Sequence, residues 1–190
     1  MFLAPLLWWG FLYVQIDKVA RMKALEVASF VVDYALKHDL EITNFELQKV
    51  LLALQLHSLK LDLNKPLIED TKFIAWKALP VLTSVYYAYC YNGGLPINQV
   101  VLRDDFEGEI VIPKASAFSN YAEIVKIIKV MLTVKPWLVQ SWLFKLIAFK
   151  NAIKKTLEQE QIKYNVELSI DDLLVDAKTF DLKVFIDPKE

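Results

Sequence analysis

The sequence predicts an α+β fold, mainly helical, organised around one buried central helix at about residues 43–62, with a small β-hairpin and short strands. Three observations predict it. The stretch ITNFELQKVLLALQLHSLKL (Ile42–Leu61) is apolar on two faces, so it needs neighbours on two sides. Helical spacing of apolar residues returns in several other stretches. Runs rich in β-formers are few and short.

The chain has 190 residues, enough for one domain with a real core. Apolar types make up 55% and charged residues 24%. The apolar surplus argues against disorder and calls for burial in an interior, a partner or a membrane. A net charge of −1 gives no basic field for nucleic acid. The single cysteine, Cys90, excludes an intrachain disulfide framework and fits a reducing cytoplasm.

Residues 1–21 read as an apolar extension ahead of a single domain at 22–190. Its first sixteen residues, MFLAPLLWWGFLYVQI, include Trp8 and Trp9. As a helix they would reach about 24 Å, short of the roughly 30 Å hydrocarbon layer. No Lys or Arg precedes the run, which argues against a signal peptide, and Pro5 and Gly10 interrupt it. The expected role is packing onto the domain, a second copy or a partner, with membrane contact as the alternative.

After Met22, Ala24, Val27, Ala28, Val31 and Ala35 form one helical stripe. In the central helix, Thr43 and Glu46 make a T-x-x-E capping box, and Ile42 is placed to staple against Leu47. Leu47, Val50, Leu51, Leu54 and Leu61 form one face; Leu52, Leu56, Leu59 and Leu63 form the other. Gln48 and Gln55 lie seven apart between these faces, so their amides need partners. Hydrogen bonds to loop backbone are the expected role, with a ligand site as the alternative.

KFIAWK (Lys72–Lys77) reads as a short strand. Pro80 is expected to start a helix that ends at Gly93–Gly94. Tyr86, Tyr87, Tyr89 and Tyr91 surround that helix, and tyrosines with an apolar body and a polar tip suit either an interface or core packing. QVVLRDDFEGEIVIP (Gln99–Pro113) predicts a hairpin. Asn120 and Glu123 open a helix that Pro136 closes. LVQSWLFKLIAFKNAIKKTL predicts one long helix, with Lys145, Lys150, Lys154 and Lys155 on a solvated face. FDLKVFI (Phe180–Ile186) alternates with period two and predicts a strand.

Chemistry-bearing patterns are sparse. His38 and His57 fall on separate helices, and no zinc, calcium or phosphate-loop motif occurs, so no metal or cofactor is expected. A Cys90 nucleophile with a His57 base is the one catalytic alternative, set against a small apolar role for Cys90.

Two ordered segments resemble the Panacea antitoxin domain, also met in phage-associated GepA-like or SocA-like proteins. The first is the Ile42–Leu61 helix, through Ile42, Thr43, Asn44, Leu47, Gln48, Lys49, Leu51 and Gln55. The second is FIAWKALPVLTSVYYAYCYNGGLPI, through Phe73, Ala75, Trp76, Pro80, Val81, Val85, Tyr86, Tyr91, Gly93, Pro96 and Ile97. MKALEVASFVV resembles the family's start, so the likeness covers Met22–Ile97. Leu79 replaces the family's glycine. The family's later Ser-Ala-Trp segment is echoed only by Ser141, Trp142 and Leu143, without its Thr-His-x-Glu portion. The resemblance implies an antitoxin-like module that neutralises a cognate toxin by direct binding. The sparse chemistry agrees with a module without enzymatic activity, and the aromatic residues Tyr86, Tyr87, Tyr89, Tyr91, Trp8 and Trp9 are the candidate contacts.

Overall fold

The computed structural model describes residues 22–76, 78–105, 108–158 and 166–186. Among these residues there are eight α-helices and two small antiparallel sheets, which bears out a mainly helical α+β fold. The extension at 1–21, with Trp8 and Trp9, lies outside the described residues.

Helix α1 spans Ala24–Lys37 and buries ten residues, more than the single predicted stripe. Its amino terminus is capped from a distance: the Ala24 N–H donates to Asp70 Oδ1 at 2.8 Å. Helix α2 spans Asn44–Leu61 and buries twelve of its eighteen residues. The predicted capping box is present, with Thr43 and Glu46 each accepting a backbone N–H of the other. Both faces are buried along most of the helix, because α1, α4 (Tyr121–Thr133) and α7 (Ile170–Thr179) pack around it. The faces end sooner than the sequence suggests: Leu61 and Leu63 are exposed where the helix runs out.

Strands β1 (Ile74–Ala75) and β2 (Pro80–Val81) form a tight hairpin, and β5 (Val166–Glu167) pairs with the other edge of β1. Pro80 is therefore a strand residue, and helix α3 runs over Thr83–Tyr89 instead of starting at Pro80. A 3-10 turn over Cys90–Asn92 ends at Gly93, whose φ of 60° a side chain rarely adopts. Leu79, at the family's glycine position, has no positive φ and is buried, so this backbone does not require glycine there. The predicted second hairpin exists as β3 (Arg103–Asp104) and β4 (Gly108–Glu109).

Three expectations need correction in the carboxy-terminal half. Asn120 occupies the cap position of α4 but makes no side-chain capping bond. The long helix is two helices, α5 (Pro136–Lys145) and α6 (Ile147–Glu158), broken at the extended residue Leu146. Neither Gly nor Pro causes this break. Asp176 of α7 accepts the Ile147 and Ala148 N–H groups at 2.8 and 2.9 Å, replacing carbonyls a continuous helix would supply. FDLKVFI forms a turn and the short helix α8 (Lys183–Ile186), with the Lys183 N–H donating to Asp181 Oδ1. The alternation breaks because Phe180 and Phe185 both reach the core and pack on Trp142.

Candidate functional site

The polar residues of α2 are directed at the backbone of its neighbours. Gln48 is 1% exposed, and its Oε1 accepts the N–H of Leu82, the residue that opens α3. One turn earlier, Asn44 Nδ2 donates to the Tyr86 carbonyl at 2.9 Å, and Gln48 Nε2 donates to Asn44 Oδ1 at 3.4 Å. Together these amides fix the start and first turn of the tyrosine helix. Gln55 does the same for the segment after α2: its Oε1 accepts the Ile68 N–H at 2.9 Å, and its Nε2 donates to the Ile68 carbonyl at 3.3 Å. Both glutamines therefore hold loop backbone, the first of the two roles the sequence allows. Lys49 is half-buried, and burial pulls its ammonium below the ordinary value against the opposing Glu46 carboxylate.

The structure sorts the four tyrosines. Tyr86 is half-buried with its ring edge-on to Trp76 at 4.6 Å. Tyr89 is fully buried and leaves the candidate contact surface. Its hydroxyl lies 3.4 Å from Ser29 Oγ and accepts the Val101 N–H at 3.3 Å, while Ser29 donates to the Val101 carbonyl. Burial raises the Tyr89 hydroxyl above its ordinary value, so it stays a neutral brace. Tyr87 and Tyr91 are 66% and 57% exposed.

Tyr87 and Tyr91 line an open concavity of about 630 Å³ between α3 and the β3–β4 hairpin. Thr83 and Ser84 lie at the start of its helical wall, and Arg103 and Asp104 form the hairpin wall. The Ser84 hydroxyl is buried without a hydrogen-bond partner. Gln99 Nε2 donates to the Tyr91 hydroxyl at 2.6 Å, which orients that ring from the loop beneath. The site thus offers two aromatic faces, a guanidinium and carboxylates, the mixture that protein interfaces use. The tyrosine spacing signalled it in the sequence. Arg103 carried no local signal, because only the folded hairpin brings it to the tyrosines; Ser84 sits one turn before Tyr87 on α3, and the tyrosine pattern did not single it out.

Cys90 is exposed, contrary to a small buried role. His57 faces a small cavity with Phe118, Ser119 and Asn120, which Cys90 does not line, and no hydrogen bond joins the two among the described residues. Burial lowers the His57 imidazole below its ordinary value, more than Glu123 raises it. Among the described residues, no cluster of His, Cys, Asp or Glu is placed to hold a metal ion. No helix among them is long and apolar enough to cross a membrane. Compared with family models, curated proteins and solved structures, the chain matches none.

Proposed function

We propose that this protein is an antitoxin-like binding module of the Panacea type, which neutralises a cognate toxin in the cytoplasm by direct contact. The observation that carries this reading is the division of labour around α3. Asn44 and Gln48 turn inward and hold its backbone, while Tyr87 and Tyr91 line the concavity with most of their surface exposed. An aromatic pair held this way binds at low entropic cost, since α3 fixes Tyr87 and Gln99 orients Tyr91 in the 3-10 turn that follows. Asn44, Gln48 and Gln55 of the family-like helix build the scaffold, and Tyr87 and Tyr91 with Arg103 meet the partner.

The test is growth rescue on co-expression with the product of the adjacent open reading frame. Tyr87→Ala with Tyr91→Ala is expected to abolish rescue while the purified variant melts close to the parent. Cys90→Ala is expected to rescue fully. Rescue by the tyrosine pair variant, with loss in Cys90→Ala, would overturn the binding reading in favour of thiol chemistry.

A further inference from the structure

Charge is spread unevenly along this chain. Between Ile124 and Leu157 there are seven lysines and no aspartate or glutamate, so the net charge of −1 conceals a segment of +7. All seven lysines are exposed. The segment comprises most of α4 and then α5 and α6.

Helix α5 is held from one side. Val139 and Leu143 are its buried residues, and Gln140 Nε2 donates to the Ala78 carbonyl at 2.9 Å. Helical spacing puts Trp137 and Phe144, two turns apart, on the side away from these contacts. They are 62% and 51% exposed. Past the break at Leu146, Ile147 is exposed as well, and Lys150, Lys154 and Leu157 share its side of α6 at three- and four-residue spacing. Lys135 and Lys145 stand at the two ends of α5. Among the described residues, Lys135, Lys145 and Lys150 form no ion pair, while Lys154 meets Glu158 at 3.7 Å. The α7 carboxylates next to α6 are already engaged: Asp176 holds the Ile147 and Ala148 N–H groups, and Asp172 accepts Asn151 Nδ2 at 3.0 Å.

We propose that the outer side of α5 and α6 binds an anionic lipid surface, with Trp137, Phe144 and Ile147 entering the headgroup boundary and the lysines meeting lipid phosphates. Indole rings favour that boundary, and lysine stems pack along apolar surface while the ammonium stays in water. With ten residues, α5 is about 15 Å long, so it lies in the interface and does not cross. A nucleic acid fits this surface less well. Bases could stack on the two rings, but Ile147 and Leu157 would stay uncovered, and the segment has no arginine to fork onto phosphate. The proposal does not rest on the tyrosine concavity or on a toxin.

The test is sedimentation of the full chain with vesicles of phosphatidylcholine alone or mixed in equal parts with phosphatidylglycerol. The parent is expected to pellet with the mixed vesicles only, and to be released at about 0.5 M NaCl. Lys145→Gln with Lys150→Gln is expected to weaken partitioning about 25-fold, at about fivefold for each lysine near the surface. Trp137→Ala with Phe144→Ala is expected to weaken it at least about tenfold. Lys23→Gln with Lys37→Gln, on α1, changes the net charge equally and is expected to leave it unaltered. Every position is exposed, so all variants are expected to melt close to the parent. Three results would overturn the proposal. One is equal pelleting with both vesicle types or with the Lys145/Lys150 variant, which assigns lipid binding to another part of the chain. Another is retention on a single-stranded oligonucleotide without vesicle binding, which gives the lysines to nucleic acid. The third is a dimer that the Trp137/Phe144 variant disperses, again without vesicle binding, which gives this side to a second copy.

Discussion

Helices α2 and α6 solve the same problem in different ways. Both must satisfy the free N–H groups at their amino termini. In α2, Thr43 and Glu46 do so from within three residues of each other. In α6, Asp176 does so from twenty-nine residues away in sequence. The first arrangement uses only residues of one local turn; the second requires α7 to be docked. The central helix of the amino-terminal half thus carries its own cap, whereas α6 in the carboxy-terminal half takes its cap from a tertiary contact.

The largest expected effect comes from breaking the packing of the locally capped helix α2. Leu51→Asp or Leu54→Asp puts an unpaired charge at a position with no exposure, and is expected to cost more than about 4 kcal/mol. Soluble, cooperatively melting protein from both variants would contradict a helix packed on two faces.

Asp176→Ala tests the other side. It orphans two N–H groups, at about 1–3 kcal/mol each, so denaturant unfolding is expected to show a loss of about 2–6 kcal/mol. Asp176 and His57 give the two helices opposite pH dependences. Burial raises the Asp176 carboxyl above its ordinary value, more than its two N–H donors lower it. The folded state then holds that proton more tightly than the unfolded chain. Its contribution is full below the unfolded carboxyl value and is lost as pH rises through the folded one. His57 on α2 runs the opposite way: its lowered value makes stability fall as pH drops through 6.5, the ordinary histidine value. Asp176→Ala is expected to remove the first dependence and His57→Leu the second, each read from melting temperature against pH.

Smaller effects sharpen the role of the amides. Gln48→Leu and Gln55→Leu leave the Leu82 and Ile68 N–H groups without acceptors, for an expected loss of about 1–3 kcal/mol each. At the bottom of the scale, Lys154→Ala with Lys155→Ala is expected to shift stability by less than about 0.5 kcal/mol, because both side chains are exposed.

Legibility in the sequence follows the same division. Helix α2, its cap, its two buried faces and the backbone role of its glutamines could all be read from local spacing. The break at Leu146 could not, since no residue near it signals a stop and the carboxylate that makes it belongs to α7. The final segment misled because Phe180 and Phe185 are both core residues, whereas alternation pairs Phe180 with Leu182, Val184 and Ile186. At the candidate site, Tyr87 and Tyr91 were visible as aromatic spacing. The burial of Tyr89 was not, because it depends on Ser29 and on the Val101 backbone, which only tertiary folding brings together.

The central claim is that the polar residues of α2 hold the backbone that presents the tyrosines. Amide hydrogen exchange at Leu82, compared between the parent and Gln48→Leu, tests it most directly. The account predicts that Leu82 in the parent exchanges only with global unfolding, although it lies at a helix end. In Gln48→Leu it should exchange faster than the global change explains, by about tenfold for each 1.4 kcal/mol of lost local hold, while Ile68 follows the global rate. Rapid exchange of Leu82 in the parent, unchanged by Gln48→Leu, would contradict the claim.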